Sequence, residues 1–125
     1  MQINFYLYTS TANPYLHFGN ISLLITHYNR PESLNRLLEE ISKLKITFSE
    51  IIVSDDGSKV EIQQQLQLLQ QKYNFRLITT PVNKGLANNL NKGQDAVKTP
   101  YTLYIQEDFV PTFFFPAKLA ESLAI

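Results

Sequence analysis

The chain has 125 residues, 44% of them apolar and 12% aromatic, which is enough for one domain with a sizeable core. Its 11 acidic and 11 basic side chains balance, so no bulk positive field is available to bind nucleic acid or an anionic membrane. Cysteine is absent, which excludes disulfides, thiol nucleophiles and cysteine metal sites. No apolar run is long enough to span a membrane and the N-terminus is unlike a signal peptide, so we expect a cytoplasmic protein that at full length could lie peripherally on a membrane.

The first nineteen residues precede the regular pattern, and we treat residues 1–19 as an N-terminal extension. Within them we interpret the segment INFYLY (residues 3–8) either as an extra edge strand or as part of a purification scar. Residues 20–125 then form the single domain. No internal repeat or linker divides that domain.

Strands and helices alternate from residue 20 onward. Apolar runs predict four strands, ISLLIT (21–26), EIIVS (50–54), FRLITT (75–80) and YTLYI (101–105). Three helices lie between them, the first beginning near Pro31 and the third spanning residues 84–98. Their predicted inward positions are Leu34, Leu37, Leu38, Ile41 and Leu44, then Ile62, Leu66 and Leu69, then Leu86, Leu90 and Val97.

This alternation, with short connections, predicts the α/β class: an open parallel sheet with helices on both faces and right-handed crossovers, Rossmann-like in type. If the strand order is 3-2-1-4, the order reverses between the first and fourth strands. Ligands bind such sheets at the carboxyl ends of the strands, beside that reversal.

Three polar clusters follow the carboxyl ends of predicted strands: THYNR (26–30), DDGS (55–58) and QED (106–108). We therefore expect all three to line one crevice. Each also has a purely structural interpretation. DDGS is an ordinary turn and helix cap, residues 29–31 could simply start a helix, and a lone histidine such as His27 is more often structural than catalytic.

The adjacent acids Glu107 and Asp108 are the hardest to explain structurally, because the strand before them has the composition of a central one. Two neighbouring carboxylates repel one another, and this repulsion is costly where water is excluded. A divalent cation such as Mg²⁺ or Mn²⁺ would relieve that repulsion and keep open positions for substrate phosphates. We therefore expect these acids to hold a metal.

Other nucleotide sites do not match. The sequence has no GxxxxGK[ST] loop and no GxGxxG after the first strand. A receiver domain would place its acid pair after the first strand, which here ends in THYNR. A nucleotidyltransferase of similar topology, which would carry a glycine-rich basic loop after the first strand, stays a minor alternative.

In this order the clusters resemble those of family 2 glycosyltransferases, the inverting enzymes of the GT-A fold, over residues 20–116. The matching pieces are ISLLITHYNRPESLNRLLEEI, IIVSDDGS, NKGLANNLNKG and LYIQEDF, of which DDGS is the most specific. QED stands where the family carries its D-x-D-type metal motif, so only the last acid matches cleanly.

The resemblance implies a role for each matching position. The loop of Thr26, Tyr28, Asn29 and Arg30 would bind the nucleotide, with the Thr26 backbone meeting the base and Tyr28 packing near it. Asp56 would accept the base imide hydrogen. The remaining implied roles are structural or ribose-side for Asp55, phosphate contact for Lys84, sugar or ribose contact for Glu107, and metal ligand for Asp108.

The implied reaction is metal-assisted displacement at the anomeric carbon of a nucleotide sugar, best guessed as a UDP-sugar, with a saccharide or lipid-linked acceptor. The resemblance assigns no catalytic residue to this chain, because in the family the general base comes from a later segment, which here would lie beyond Ile125. The chain is therefore expected to be truncated: a donor-binding half that is inactive alone.

The run Phe113–Phe115 would then expose an apolar patch and favour self-association of the fragment. A short buried turn of helix would explain the same run. The alternative to the enzyme as a whole is a non-catalytic binding module of the same ancestry with a vestigial metal site.

Overall fold

The computed structural model describes residues 5–9 and 14–111, with side chains from residue 16 onward. The elements are β1 (Phe5–Thr9), β2 (Pro14–His27), α1 (Pro31–Lys43), β3 (Ile46–Asp55), α2 (Val60–Tyr73), β4 (Arg76–Thr79), α3 (Leu86–Ala96) and β5 (Tyr101–Gln106). The segment Phe113–Phe115 and the residues that follow it to Ile125 lie outside the described residues. None of the helices within the described ranges is long and apolar enough to cross a membrane.

The sheet has five strands in the described part of the chain, of which four are parallel and lie in the order β4-β3-β2-β5. Counted among the four predicted strands this is the order 3-2-1-4, so the predicted topology is confirmed. The reversal lies between β2 and β5, which pair from Ile21↔Tyr101 to Thr26↔Gln106. The crevice expected at that reversal is therefore placed at the carboxyl ends of β2, β3 and β5.

The longest strand, β2, begins earlier than predicted. Residues 14–18 of β2 pair antiparallel with β1, which overlaps the INFYLY stretch at residues 5–8. The same part of β2 pairs with the start of β3 from Leu16↔Ile46, and a register shift follows between Phe18 and Ser22. A boundary at residue 19 thus falls inside a strand, and the proposed division of the chain into extension and domain stays a prediction.

The centre of the sheet is apolar on both sides because helices cover both. Leu23, Leu24 and Ile25 are fully buried. Leu23 and Ile25 join the core cluster that contains Leu34 of α1 and Leu66 of α2. Leu24 lies on the opposite face, against α3. Alternate residues of one strand thus serve two helical layers, which explains why ISLLIT is a continuous apolar run.

Helix α1 starts with a proline at its first turn, as predicted, since that position needs no backbone N–H. Its buried residues follow the predicted stripe and are Pro31, Leu34, Leu37, Leu38 and Ile41. In α2 only Leu66 is fully buried among its residues, while Ile62 and Leu69 pack at the margin of the core. The inward faces of these two helices were therefore predictable from apolar spacing.

Helix α3 differs from the prediction. Leu86, predicted to face inward, is 52% exposed, and the buried residues of α3 are Asn89 and Gly93. A Cβ on Gly93 would lie 2.5 Å from Cδ1 of Leu24, so the helix approaches the sheet too closely for a large side chain. The prediction that Leu86 faces inward is wrong, because Asn89 and Gly93 form the face of α3 that packs against the sheet.

Candidate functional site

A crevice of about 280 Å³ lies at the carboxyl ends of β2, β3 and β5, beside the start of α3. Its lining includes residues from all three predicted clusters, among them Thr26, Tyr28, Asp56 and Glu107, together with Gly85 and Asn89 at the start of α3. A larger cavity of about 500 Å³ lies near the start of β3 and contains none of the three clusters. Polar convergence, and not size, therefore identifies the smaller crevice as the candidate site.

The two acids of the DDGS cluster point to opposite faces of the sheet. Ser54 and Asp56 contact α3, since the Ser54 hydroxyl donates to the Asn89 side-chain oxygen (2.8 Å) and Asp56 accepts from the start of that helix. Asp55 instead pairs with His27 on the face of α1 and α2. Alternation along the strand thus sends one acid to the crevice and the other into the core.

Asp55 is fully buried and its carboxylate is satisfied from every side. It accepts hydrogen bonds from His27 Nδ1 (2.8 Å), Ser58 N (3.0 Å), Ser58 Oγ (2.5 Å), Gln63 Nε2 (2.6 Å) and Thr79 Oγ1 (3.0 Å). Burial alone raises the pKa of Asp55, but the bonds from His27, Ser58 and Thr79 outweigh it and hold that pKa well below its usual range. Of its two expected roles, structural or ribose-side, this geometry supports the structural one.

Asp56 is also nearly buried, but it borders the crevice. Its Oδ1 accepts the backbone N–H of Lys84 (2.8 Å) and its Oδ2 accepts that of Gly85 (3.0 Å). The start of α3 has no side-chain cap of its own, so Asp56 satisfies free N–H groups there. Each carboxylate oxygen keeps a further lone pair for a ligand. The Lys84 side chain is exposed.

The loop after β2 presents one aromatic side chain to the crevice. Tyr28 is 42% exposed there. The Thr26 hydroxyl is hydrogen-bonded to Tyr104 Oη (2.8 Å), and the Thr26 carbonyl accepts the Glu107 N–H (3.1 Å). Asn29 ties this loop to the next one, since its N–H donates to Ser58 Oγ (2.9 Å) and its side-chain oxygen accepts the N–H at residue 59 (3.0 Å). The structure therefore brings Tyr28 to the opening and gives Thr26 and Asn29 internal partners.

The third cluster is more open. Asp108 has half of its side chain exposed, whereas that of Glu107 is 13% exposed. Burial raises the pKa of the Glu107 carboxyl, and the Asp108 charge adds to this. Arg30 Nη1 lies 3.5 Å from Asp108 Oδ2 and 3.9 Å from Glu107 Oε1. One guanidinium thus serves both carboxylates.

This donor set fits a hard divalent cation that takes most of its ligands from elsewhere. Among the described residues no group of three or more His, Cys, Asp or Glu side chains could hold a metal. Mg²⁺ is commonly held by one or two carboxylates together with waters and substrate phosphates. Asp108 is half exposed, Glu107 lies beside it, and the cationic side chain of Arg30 is near both. These two carboxylates therefore match the ligands of such a magnesium site.

Several contacts of the site involve residues to which the sequence analysis assigned no role. Asn89 is 2% exposed and also reaches the His27 carbonyl (3.4 Å). Lys92 donates to the Asp55 carbonyl (2.5 Å), and burial lowers the pKa of its amine. Gln63 and Thr79 complete the Asp55 shell. For Gln63, Asn89 and Lys92 the only sequence signal is a polar side chain on the sheet-facing side of a helix, and Thr79 carries no signal beyond its place at the end of a strand.

The family model for glycosyl transferase family 2 matches residues 22–124. Over 90 residues the chain is 29% identical to a poly-beta-1,6-N-acetyl-D-glucosamine synthase of Staphylococcus epidermidis, which covers 72% of this chain and 22% of that protein. Over 107 residues it is 27% identical to an uncharacterized glycosyltransferase of Haemophilus influenzae, covering 84% of this chain and 34% of that protein. The chain thus spans between about a fifth and a third of these relatives.

Solved structures share the fold. S. aureus TarS (residues 1–349) matches with a TM-score of 0.69 at 19% identity, covering 84% of this chain and 32% of that one. The mannosyltransferase PcManGT of Pyrobaculum calidifontis, solved with GDP-Man and Mn²⁺, matches with a TM-score of 0.69 at 16% identity, covering 85% and 32%. Glucosyl-3-phosphoglycerate synthase of Mycobacterium tuberculosis, solved with Mn²⁺ and UDP, matches with a TM-score of 0.63 at 21% identity, covering 84% and 39%. The sheet described above is therefore of the GT-A type.

Proposed function

The chain belongs to glycosyltransferase family 2, and on that premise we propose that it is the donor-binding half of an inverting, metal-assisted glycosyltransferase. One observation carries the proposal. A nearly buried carboxylate, Asp56, lines the crevice at the reversal of the parallel sheet, and an open one, Asp108, directly follows Glu107, which lines the same crevice. That arrangement suits a ligand with a hydrogen-bonding base at one end and a diphosphate at the other.

In this proposal the base lies between Tyr28 and Asp56. The remaining lone pairs of the Asp56 carboxylate accept an imide N–H, which a uracil base offers. The Thr26 backbone and the loop residues Asn29 and Arg30 shape the same end. We take a UDP-sugar as the donor, and the UDP in two structurally similar enzymes supports that choice.

The diphosphate would lie at the end of β5. Asp108 would ligate Mg²⁺ or Mn²⁺, with Glu107 near the sugar or ribose. A bound cation would neutralise the negative charge that builds on the leaving nucleoside diphosphate. Arg30 and Lys84 are the cationic side chains available to the phosphates. The Mn²⁺ in two similar enzymes supports a divalent cation here.

Transfer also needs a general base for the acceptor hydroxyl. The acids at the crevice among the described residues are assigned to the donor side or to the core. We therefore propose that the base, and the site for a saccharide or lipid-linked acceptor, belong to a segment outside the described residues. The position beyond Ile125 expected for the base stays a prediction, and under it the 125-residue chain should bind nucleotide without transferring sugar.

The second candidate is a binding module of the same ancestry with a vestigial metal site. It is favoured by the contact of Arg30 with both Glu107 and Asp108, which offsets part of their charge without a metal. The first position of the QED cluster also lacks a carboxylate. Metal-dependent nucleotide binding separates the two candidates.

The test is the melting temperature of the chain with and without UDP and Mn²⁺, alone and together. A ligand at a hundred times its dissociation constant stabilises a fold by about 2.7 kcal/mol, several degrees for a domain of this size. We expect a rise that needs both additives and is absent in Asp108→Asn but kept in Asp95→Asn, a control at an exposed acid of α3. An equal rise without metal, or in Asp108→Asn, would contradict the proposed metal role.

A further inference from the structure

His27 has no part in the proposed ligand contacts, yet it is 1% exposed at the centre of the site. It is the last residue of β2 and lies directly opposite Asp55, the last residue of β3. Its ring nitrogens have separate partners. Nδ1 lies 2.8 Å from Asp55 Oδ1, and Nε2 lies 3.1 Å from the backbone nitrogen of Arg30.

These partners fix the protonation of the ring. A backbone N–H can only donate, so Nε2 must accept the bond from Arg30 and carries no proton. Nδ1 then carries the proton of a neutral imidazole and donates it to the Asp55 carboxylate. The Asp55 carboxylate in turn is held by Ser58, Gln63 and Thr79, so the ring orientation is anchored in the core.

The bond from Arg30 to Nε2 closes the turn that carries Tyr28. In this turn Asn29 has φ 51°, a left-handed conformation that costs energy for most residues and that asparagine tolerates better than other residues except glycine. Arg30 caps α1 without a side-chain hydrogen bond. The ring of His27 therefore accepts the N–H of the N-cap residue, the bond that a Glu or Gln at N3 gives in a capping box, and it does so from a fixed position.

We propose that His27, as the neutral Nδ1–H tautomer, is a positioning residue that holds the turn of residues 28–30 at a fixed distance from Asp56, so that a nucleotide base meets a preformed pocket. The inference rests on the proposed function. Loss of the His27 ring should weaken nucleotide binding without removing any group that touches the ligand.

Two substitutions distinguish the contributions of the two ring nitrogens of His27. His27→Gln places an amide oxygen near the Nε2 position, where it can accept from Arg30, but gives up the bond to Asp55. His27→Asn places an amide N–H near the Nδ1 position, where it can donate to Asp55, but leaves the Arg30 N–H without a partner. Gln64→Ala, at an exposed position of α2, is the control.

We expect His27→Asn to raise the dissociation constant for UDP, measured by calorimetry with Mn²⁺, by about five- to tenfold, the effect of one lost hydrogen bond. His27→Gln should stay within about twofold of the wild type, while melting no higher than His27→Asn because it loses the bond to an ionised group. Affinity and stability would then rank the two variants in opposite orders. Affinities that follow the melting temperatures, or that do not change, would overturn the positioning role.

The tautomer is read independently of any ligand by nitrogen NMR of the histidine ring. A protonated Nδ1 and an unprotonated Nε2 on His27 are expected in the unliganded chain. A proton on Nε2 would overturn the inference whether or not nucleotide binds. Failure of the wild type itself to bind UDP with Mn²⁺ would instead overturn the proposed function, and a Nδ1–H spectrum would then still support the turn closure.

Discussion

The carboxyl ends of β2 and β3 differ sharply from the carboxyl end of β5. At the first, His27 and Asp55 are buried and joined by a 2.8 Å hydrogen bond, and further donors from three elements converge on the same carboxylate. At the second, Asp108 is half exposed and its partner, a guanidinium at 3.5 Å, is itself 60% exposed. One end of the crevice is preorganised, and the other is held by a loose surface ion pair.

The difference separates two kinds of binding. A base read by hydrogen bonds gains from a preformed pocket, because no ordering has to occur on binding. A diphosphate and a cation bring their own charges, so acids that wait for them must stay accessible. We interpret the crevice as rigid on the base side and adjustable on the phosphate side. The substitutions below test this contrast.

The largest effect is expected from Asp55→Ala. It leaves donors of His27, Ser58 and Gln63 without their acceptor, and because each unsatisfied buried donor costs about 1 to 3 kcal/mol, we expect a total loss of about 4 kcal/mol. Urea denaturation measures the loss. Asp95→Ala, at an exposed position, should change the free energy of unfolding by less than about 0.5 kcal/mol. Equal small losses in both variants would contradict the preorganised pocket.

Acid should weaken the same region. The folded pKa of Asp55 lies below its unfolded value of about 4, so its contribution to stability is present above that pH and is lost as pH falls toward the folded pKa. Melting temperatures across the acid range should therefore fall less steeply for Asp55→Asn than for the wild type. Asp95→Asn should keep the wild-type slope, and identical slopes for all three proteins would count against the lowered pKa.

A smaller effect is expected from Gln63→Ala, which removes one donor to the ionised Asp55 (2.6 Å) and leaves the others. Hydrogen bonds to charged groups contribute about 1.5 to 3 kcal/mol, and we expect the lower end because other donors remain. Gln64→Ala is the matched control, an exposed glutamine of the same helix. The two variants are compared by urea denaturation. Equal losses of stability in the two variants would contradict a specific contribution of the hydrogen bond from Gln63 to Asp55.

The smallest effect is expected from Asp108→Asn without ligand. Its only ion pair among the described residues is the exposed one with Arg30, and exposed pairs contribute little. The free energy of unfolding should stay within about 0.5 kcal/mol of the wild type. A loss comparable to that of Asp55→Ala would show that the end of β5 is also part of the structural core.

Much of the fold followed from the sequence because its signals are local. The continuous apolar run of β2 required a strand covered on both faces, and the spacing of Leu34, Leu37, Leu38 and Ile41 specified the buried face of α1. The face of α3 did not follow, because Gly93 and Asn89 pack through closeness and hydrogen bonding and not through apolar area. Apolar spacing carries no signal for such a contact.

By itself, the sequence determined the alternation of strands and helices, the sheet order and the family, and hence the edge at which the polar clusters meet. Only the tertiary structure showed that Asp55 points into the core and is enclosed there by hydrogen bonds, and that His27 closes the turn before α1. Adjacent residues at a strand end point to opposite faces. Which face belongs to the core depends on helices and a partner strand far away in the chain. That long-range register is what the sequence of a single strand cannot encode.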